Sequence, residues 1–354
     1  MTTTVSLQLK PPYLIFIGDV DTQLYAKTGL GIVQWCPELV AGQLRFAGNT
    51  LDLGVPELTV QQAAEVGVKS LIVGVAPIGG TVDDCWVEVL VEAAKSGLDI
   101  VSGLHVRLED FPGLAVAANA SGAQLINVRT PPMPLPIGNG QKRAGRRVLM
   151  VGTDCAVGKK YTALALTKSL KSMGAKATFR ATGHTGIMIA GNGIPIDAVV
   201  SDFVSGAAEL ISPANNPEHW DVIEGQGSLF NPSYAGVSLG LLHGSQPDAF
   251  VICHDATRSV IDSCPHIPLP TISECIDLHR RCGKLTNPDI SCVGISVNTS
   301  GLPVDQRAAY LRELSVQTGL ICVDSVIDSC DAIANYLVSE FSLNKANQQD
   351  HQHA

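Results

Sequence analysis

Short apolar runs recur along the chain, each followed by a glycine or polar turn and then a helical stretch. Tyr13-Leu14-Ile15-Phe16-Ile17-Gly18 predicts a first buried strand, and 70–75, 97–102 and 124–128 predict three more. Helices are predicted over 60–67, closed by Gly67, over 83–96, and once more before the last of these strands. Strands alternating with helices at this spacing argue for βαβ units and a parallel sheet. Ligands bind such sheets beyond the carboxyl ends of the strands, so Gly79-Gly80 and Gly103-Leu104-His105 are placed to line a cleft. His105 itself reads as a hydrogen-bonded structural residue. Lys27-Thr28-Gly29-Leu30-Gly31 reads as a tight connection, with a ligand-binding turn as the alternative.

The pattern breaks at Thr130-Pro131-Pro132-Met133-Pro134-Leu135-Pro136-Ile137-Gly138-Asn139-Gly140, where proline removes backbone donors and fixes φ. A linker over 130–147 therefore divides an N-terminal domain, 1–129, from a second domain, 148–342. A polar tail over 343–354 is expected to fray. In the second domain strands are predicted at 148–151, 175–180, 220–224, 247–254, 291–297 and 321–323. Helices are predicted at 159–173, closed by Gly174, and at 330–341. Ala181-Thr182-Gly183-His184-Thr185-Gly186 reads as a small polar turn at a strand end. The stretch 196–210 carries Asp197, Asp202 and Glu209 among small apolar residues. Both halves are thus α/β.

One stretch carries recognisable chemistry. Val148-Leu149-Met150-Val151 leads into Gly152-Thr153-Asp154-Cys155-Ala156-Val157-Gly158, and Lys159-Lys160-Tyr161-Thr162 opens a helix. Loop N–H groups, a helix N-terminus and a lysine are the parts of a phosphate cradle. Two features depart from the usual loop. Five residues separate Gly152 from Gly158 where four are usual, and Lys160 stands where Ser or Thr normally holds Mg²⁺. Thr162 lies about 200° further round the helix and faces away. Cys155, at the helix entrance, reads as a small loop-filling residue, an acyl-cysteine route being the alternative.

Composition narrows the partners. The 354 residues suffice for two cores, and high glycine with few aromatics suits buried parallel strands. A net charge of −9, with no basic run beyond Lys142-Arg143 and Arg146-Arg147, disfavours nucleic acid. That basic cluster reads as a solvated linker. The ten cysteines include no CxxC pair, and Cys264, His266, Cys275, His279 and Cys282 match no standard zinc spacing, so no metal site is expected. Met1–Pro12 lacks the apolar core of a signal peptide and no run reaches membrane length, so a soluble cytoplasmic protein is expected. The glycine- and alanine-rich stretch 201–210 could pack against a partner copy, and a homo-oligomer is expected.

Gly152-Thr153-Asp154, Val157-Gly158-Lys159 and Glu224-Gly225-Gln226-Gly227 resemble dethiobiotin synthetase, an ATP-dependent enzyme with the same widened loop. That resemblance implies ATP with Mg²⁺ as cofactor, a metal-binding role for Glu224 and an adenine-reading role for Asn298. A second resemblance spans nearly the whole chain. It rests on 27–31, Gly74-Val75-Ala76-Pro77, 152–161, 181–191, 194–203 and Glu224-Gly225-Gln226-Gly227-Ser228. These are similar to a two-domain family long catalogued as a domain of unknown function. Its characterised members are D-glutamate N-acetyltransferases that use acetyl-CoA. The resemblance implies a Rossmann-like N-terminal domain, a P-loop NTPase-like C-terminal domain and a small acidic amino acid as substrate.

The lysine at 160 weakens metal-assisted phosphoryl transfer and leaves metal-free binding of CoA phosphates intact. Cofactor-binding candidates are Gly152, Thr153, Asp154, Gly158, Lys159, Lys160, Tyr161 and Asn298. Acetyl transfer to an amine needs a base, for which His184, Asp202 and Glu224 are the candidates. His184 has the most suitable intrinsic pKa. An acidic substrate needs a cation, and Lys27, Arg45, Arg129 and Arg180 are available. The expected activity is acetyl-CoA-dependent N-acetylation of D-glutamate or a similar amino acid. An ATP-dependent kinase or ligase and a non-enzymatic nucleotide or CoA sensor are the alternatives.

Overall fold

A computed structural model describes residues 5–23, 25–75 and 82–341. The predicted turn at 76–80 and the polar tail from 343 lie outside the described residues. The described residues form two compact units, one within 5–131 with 183–198, the other of 132–182 and 199–341.

The first unit is built on five parallel strands: β1 (Tyr13–Gly18), β2 (Val40–Arg45), β3 (Ser70–Val73), β4 (Asp99–Ser102) and β5 (Leu125–Asn127). Their spatial order is β2-β1-β3-β4-β5, every neighbouring pair parallel. Leu14, Ile15, Phe16 and Ile17 of β1 are wholly buried, as the unbroken apolar run requires. Phe16 meets the Trp86 ring edge-on at 5.2 Å, and Trp86 belongs to the helix Asp84–Lys95. The order reverses between β1 and β3, the kind of switch point where doubly wound sheets open a crevice.

Two segments read as connections are helices. Residues 27–31 begin the helix Lys27–Trp35, whose Gly29 amide donates to the Gly74 carbonyl at 2.7 Å. A side chain at Gly29 would meet Ile15 at 2.9 Å, so glycine here permits close packing and is not a breaker. Likewise 184–190 is the helix His184–Ala190, closed by Gly191 at φ +68°. It packs against Lys27–Trp35 in the first unit. The short strands Val5–Ser6 and Asn192–Gly193 pair antiparallel in the same unit.

The second unit carries β6 (Arg146–Gly152), β7 (Ala177–Arg180), β8 (Trp220–Ile223), β9 (Ala249–Asp255), β10 (Ser291–Asn298) and β11 (Cys322–Val323). They order as β11-β10-β9-β6-β8-β7, all parallel, so β6 lies inside the sheet. The order reverses about β6, whose carboxyl end becomes the glycine loop. A hairpin, Val260–Ile261 with Cys264–Pro268, follows β9.

The basic cluster before β6 is not a solvated linker. Arg147 is fully buried and donates to the carbonyls of Arg143, Ala144, Gly145, Ser212 and Pro213. Arg143 donates to Ser212 and Gly244, and burial, then the neighbouring Arg147, pushes its guanidinium pKa down to about 10. Both stand at the amino end of β6, away from the loop. The linker is fastened too, because the Asn139 and Gly140 amides donate to Glu209 Oε1 at 2.9 and 3.0 Å. The small residues of 201–210 already serve packing within this unit. The missing side chain of Gly206 admits the Pro136 carbonyl, and that of Gly244 admits the Ser205 backbone.

Candidate functional site

The loop between β6 and the helix Lys159–Ser172 is the best-defined candidate. Gly158 stands at the helix cap with φ +99° and has no side chain with which to cap the helix. Ala156 also adopts a left-handed φ, +54°, a conformation disfavoured for a residue with a Cβ and met mostly where function constrains a loop. A 14-residue helix opening on a glycine is suited to an anion.

The loop is tied down from several sides. The Thr153 amide donates to the Cys253 carbonyl at 3.1 Å, and its hydroxyl lies 3.2 Å from His254 Nδ1. Ser228 Oγ donates to the Thr153 carbonyl at 3.1 Å. Asp154 is fully buried, and Asn231 Nδ2, the Asp262 amide and an Arg258 NH1 group all donate to its carboxylate. Burial would raise its pKa, but these donors and the Cys155 amide outweigh it and hold the carboxylate below its ordinary value. Asp154, expected to touch the cofactor, thus faces into the protein and fixes the loop. Lys159 Nζ donates to the Asp154 carbonyl at 2.7 Å, and burial lowers its pKa against the pull of Cys155, Cys253 and Asp154. The Lys160 ammonium lies 4.8 Å from the centre of the Tyr161 ring.

Thr162 is buried. Its hydroxyl donates to the Gly158 carbonyl at 3.1 Å and lies 2.9 Å from both Ser296 Oγ and Ser325 Oγ. Glu224, just past β8, is buried beside the loop strand. Its Oε2 accepts from the Thr182 amide at 2.9 Å, and its carbonyl accepts from the Thr182 hydroxyl at 2.7 Å. The next residue must be glycine, because a Cβ at Gly225 would sit 1.6 Å from the Met150 carbonyl oxygen and 3.0 Å from the Lys159 chain.

Of the three candidate bases, Glu224 and Asp202 belong to the P-loop unit and His184 to the first. Asp202 is exposed on the 3₁₀ turn Ser201–Phe203. His184 falls in the first unit, buried, with Nε2 3.0 Å from the Thr28 hydroxyl and Nδ1 2.8 Å from Arg129 NH2. A guanidinium can only donate, so Nδ1 is an acceptor and the ring is the neutral tautomer, with its proton on Nε2 directed at Thr28. That tautomer is ill-placed to collect a proton at Nδ1. Arg129 also pairs with Asp197 and donates to the Gly103 carbonyl at 2.8 Å. Burial, then Arg129, lowers the pKa of exposed His105.

The remaining candidates fall in scattered places. Asn298 ends β10 and donates to Asp255 at 3.3 Å, while its own carbonyl oxygen accepts from Ser300. Arg45 pairs with Glu57 and Arg180 with Asp221, both at 2.8 Å, and Lys27 is exposed. Cys275 and His279 share the helix Ile272–Gly283, where His279 Nδ1 lies 2.7 Å from the Cys275 carbonyl and burial pushes the imidazole pKa down to about 4. Among the described residues no three His, Cys, Asp or Glu are grouped to hold a metal ion, and no helix is long and apolar enough to cross a membrane. The residues sequence reasoning missed are Asn231, Arg258 and Asp262. They reach Asp154 from 77 to 108 positions away, and nothing local marks them.

Two parallel α/β units, one with a glycine-capped phosphate loop, define a two-domain P-loop protein. Residues 136–334 match the P-loop domain of the domain-of-unknown-function family DUF1611, and 44–131 match its Rossmann-like N-terminal domain. The chain belongs to this family. It is 46% identical over 316 residues to a D-glutamate N-acetyltransferase of Tritonibacter scottomollicae, covering 89% of this chain and 95% of that one. It is 45% identical over 327 residues to the enzyme of the same name from a Pseudoalteromonas species, covering 92% and 98%. The crystal structure of a DUF1611 family protein from Anabaena variabilis superposes with a TM-score of 0.83 at 31% identity, over 92% of this chain and 98% of that one. The protein is accordingly an enzyme of the N-acetyltransferase class.

Proposed function

We infer that the enzyme moves the acetyl group of acetyl-CoA to the amine of D-glutamate or a similar small acidic amino acid. The observation that carries this is its likeness, over about nine-tenths of its length, to two proteins named D-glutamate N-acetyltransferase. The loop supports the cofactor half of the reading. The helix opens on Gly158, Lys159 Nζ bonds the Asp154 carbonyl of the loop, and Lys160 brings a second cation where a magnesium-binding hydroxyl would otherwise stand. Thr162 is engaged with Gly158, Ser296 and Ser325, and so does not replace that hydroxyl. These residues fit the phosphates of CoA.

When bound, acetyl-CoA supplies a thioester carbonyl open to attack. The amine arrives protonated near neutral pH and must lose a proton before it can attack. Of the three candidate bases we assign this step to Glu224, a buried carboxylate next to the loop strand, held through the Thr182 amide. His184, with Nδ1 accepting from Arg129, serves to orient Thr28. Release of CoA with D- and L-glutamate and D- and L-aspartate is the direct test, with turnover expected for D-glutamate. Glu224→Gln is expected to cut kcat by about 10²- to 10⁴-fold. The reading is lost if no acidic amino acid supports CoA release while the protein hydrolyses ATP with Mg²⁺.

A further inference from the structure

Arg258 stands just beyond the carboxyl end of β9, the strand whose Cys253 carbonyl holds the Thr153 amide. Its guanidinium carries five N–H donors in a rigid planar fork. The NH1 group is fully engaged, donating to Asp154 Oδ2 at 2.9 Å and to the Cys155 carbonyl at 2.7 Å. The three donors on Nε and NH2 make no hydrogen bond among the described residues, and the side chain is 20% exposed. One edge of the fork is therefore clamped to the glycine loop while the other stays within reach of a ligand. Asp154 also has Asn231 and the Asp262 amide as donors, so satisfying its carboxylate does not by itself explain why three guanidinium donors are left over.

We propose that Arg258 is a cationic ligand of the phosphate group held by the loop, presenting its Nε–NH2 edge to two phosphate oxygens. This rests on reading 152–160 as a phosphate site. Parallel N–H donors on a guanidinium match the oxygens of a phosphate, which a lysine ammonium cannot do. Asp154 acts as the residue that aims the fork, and the contact to the Cys155 carbonyl fixes the fork to the loop itself. The arrangement also suits a phosphate held without a metal ion. Lys159 is turned onto the Asp154 carbonyl and Lys160 lies over Tyr161, so Arg258 adds a preset pair of donors to those two charges.

Titration calorimetry of the full-length protein with CoA, and separately with inorganic pyrophosphate, tests this without relying on turnover. Arg258→Gln is expected to weaken binding of both by about ten- to a hundredfold, with Arg258→Lys in between. Arg258→Gln also unpairs buried Asp154, so its effect could come from a distorted loop. The double variant Asp154→Asn, Arg258→Gln removes the buried charge along with its partner. It is expected to recover much of the Tm lost in Arg258→Gln while binding stays weak. Recovery of binding together with Tm would make Arg258 a structural clamp only and overturn the proposal. So would unchanged binding in Arg258→Gln. Lys159→Ala separates the two levels: if it abolishes binding and Arg258→Gln does not, the phosphate loop stands and the role of Arg258 falls. If the wild type binds neither probe, or Lys159→Ala is silent, the phosphate loop itself is lost and Arg258 with it.

Discussion

Asp154 illustrates how a side chain in a ligand-binding motif can act through the protein side of the loop. Its carboxylate is buried and takes donors from Asn231, Arg258 and Asp262, which together hold its pKa below the ordinary 3.8. In the unfolded chain the same group binds a proton near 3.8. Between the two values the unfolded state therefore holds more protons, and stability rises with pH. The stabilisation is complete above the unfolded value and is lost as pH falls through the lower folded value. Asp154→Asn is expected to cost about 1–3 kcal/mol at neutral pH and to flatten the stability–pH curve below about pH 4, read from urea unfolding at a series of pH values. An unaltered acid limb would assign the acid sensitivity to other carboxylates. The loop's glycines, lysine and departure at Lys160 were legible in the sequence, because a phosphate cradle is local. The partners of Asp154 were not, since Asn231, Arg258 and Asp262 reach it only through the pairing of β6 with β9 and the turns after β8 and β9. His184 shows the same limit: its intrinsic pKa suggested a base, while Arg129, 55 positions away, sets its tautomer.

At the scale of elements, the buried strands were readable because a strand covered on both faces is apolar throughout, as in Leu14 to Ile17 of β1 and Phe250 to Cys253 of β9. The helices Lys27–Trp35 and His184–Ala190 were hidden by Gly29, Gly31 and Gly186, which local rules take as breaks. Glycine in a helix can instead mark a place where backbone must approach backbone, and the contacts tell the two uses apart. A Cβ at Gly206 would lie 1.9 Å from the Pro136 carbonyl oxygen, and neither the linker nor the helix Val204–Ile211 can give way cheaply. Gly236, in the helix Ala235–Ser245, has nothing within 4 Å of its Cβ position. Gly206→Ala is expected to destabilise by about 1–3 kcal/mol or more, while Gly236→Ala is neutral or stabilises by up to about 1 kcal/mol. Denaturant midpoints of the two variants check this, and equal effects would show that helix propensity, not contact, governs both sites.

For the whole molecule, the proline-rich segment suggested a single cut, with everything before it folding as one unit. Chain connectivity is less simple, because 183–198 leaves the P-loop unit after Thr182 and contributes to the first unit before the chain returns at Val199. That contribution is substantial. The buried Thr28 hydroxyl bonds His184 Nε2 and Thr185 Oγ1, and Arg129 relies on Asp197 and His184 for its charge and its donors. The helix His184–Ala190 covers Lys27–Trp35, whose Ile32 is 2% exposed, and Asn192–Gly193 supplies the strand that pairs with Val5–Ser6. No local pattern could reveal this, since the segment's partners lie at least 55 positions earlier in the chain. A fragment ending at Pro131 keeps all five strands of the first sheet yet uncovers Thr28 and takes Asp197 and His184 away from Arg129, each at about 1–3 kcal/mol. Such losses are a large fraction of a small domain's stability. The 1–131 fragment is therefore expected to unfold at much lower urea than the same fragment extended by residues 183–198 through a flexible linker, with buried Trp86 as the fluorescent reporter. Equal midpoints would mean that the first sheet and its own helices are self-sufficient and that 183–198 merely rests on them.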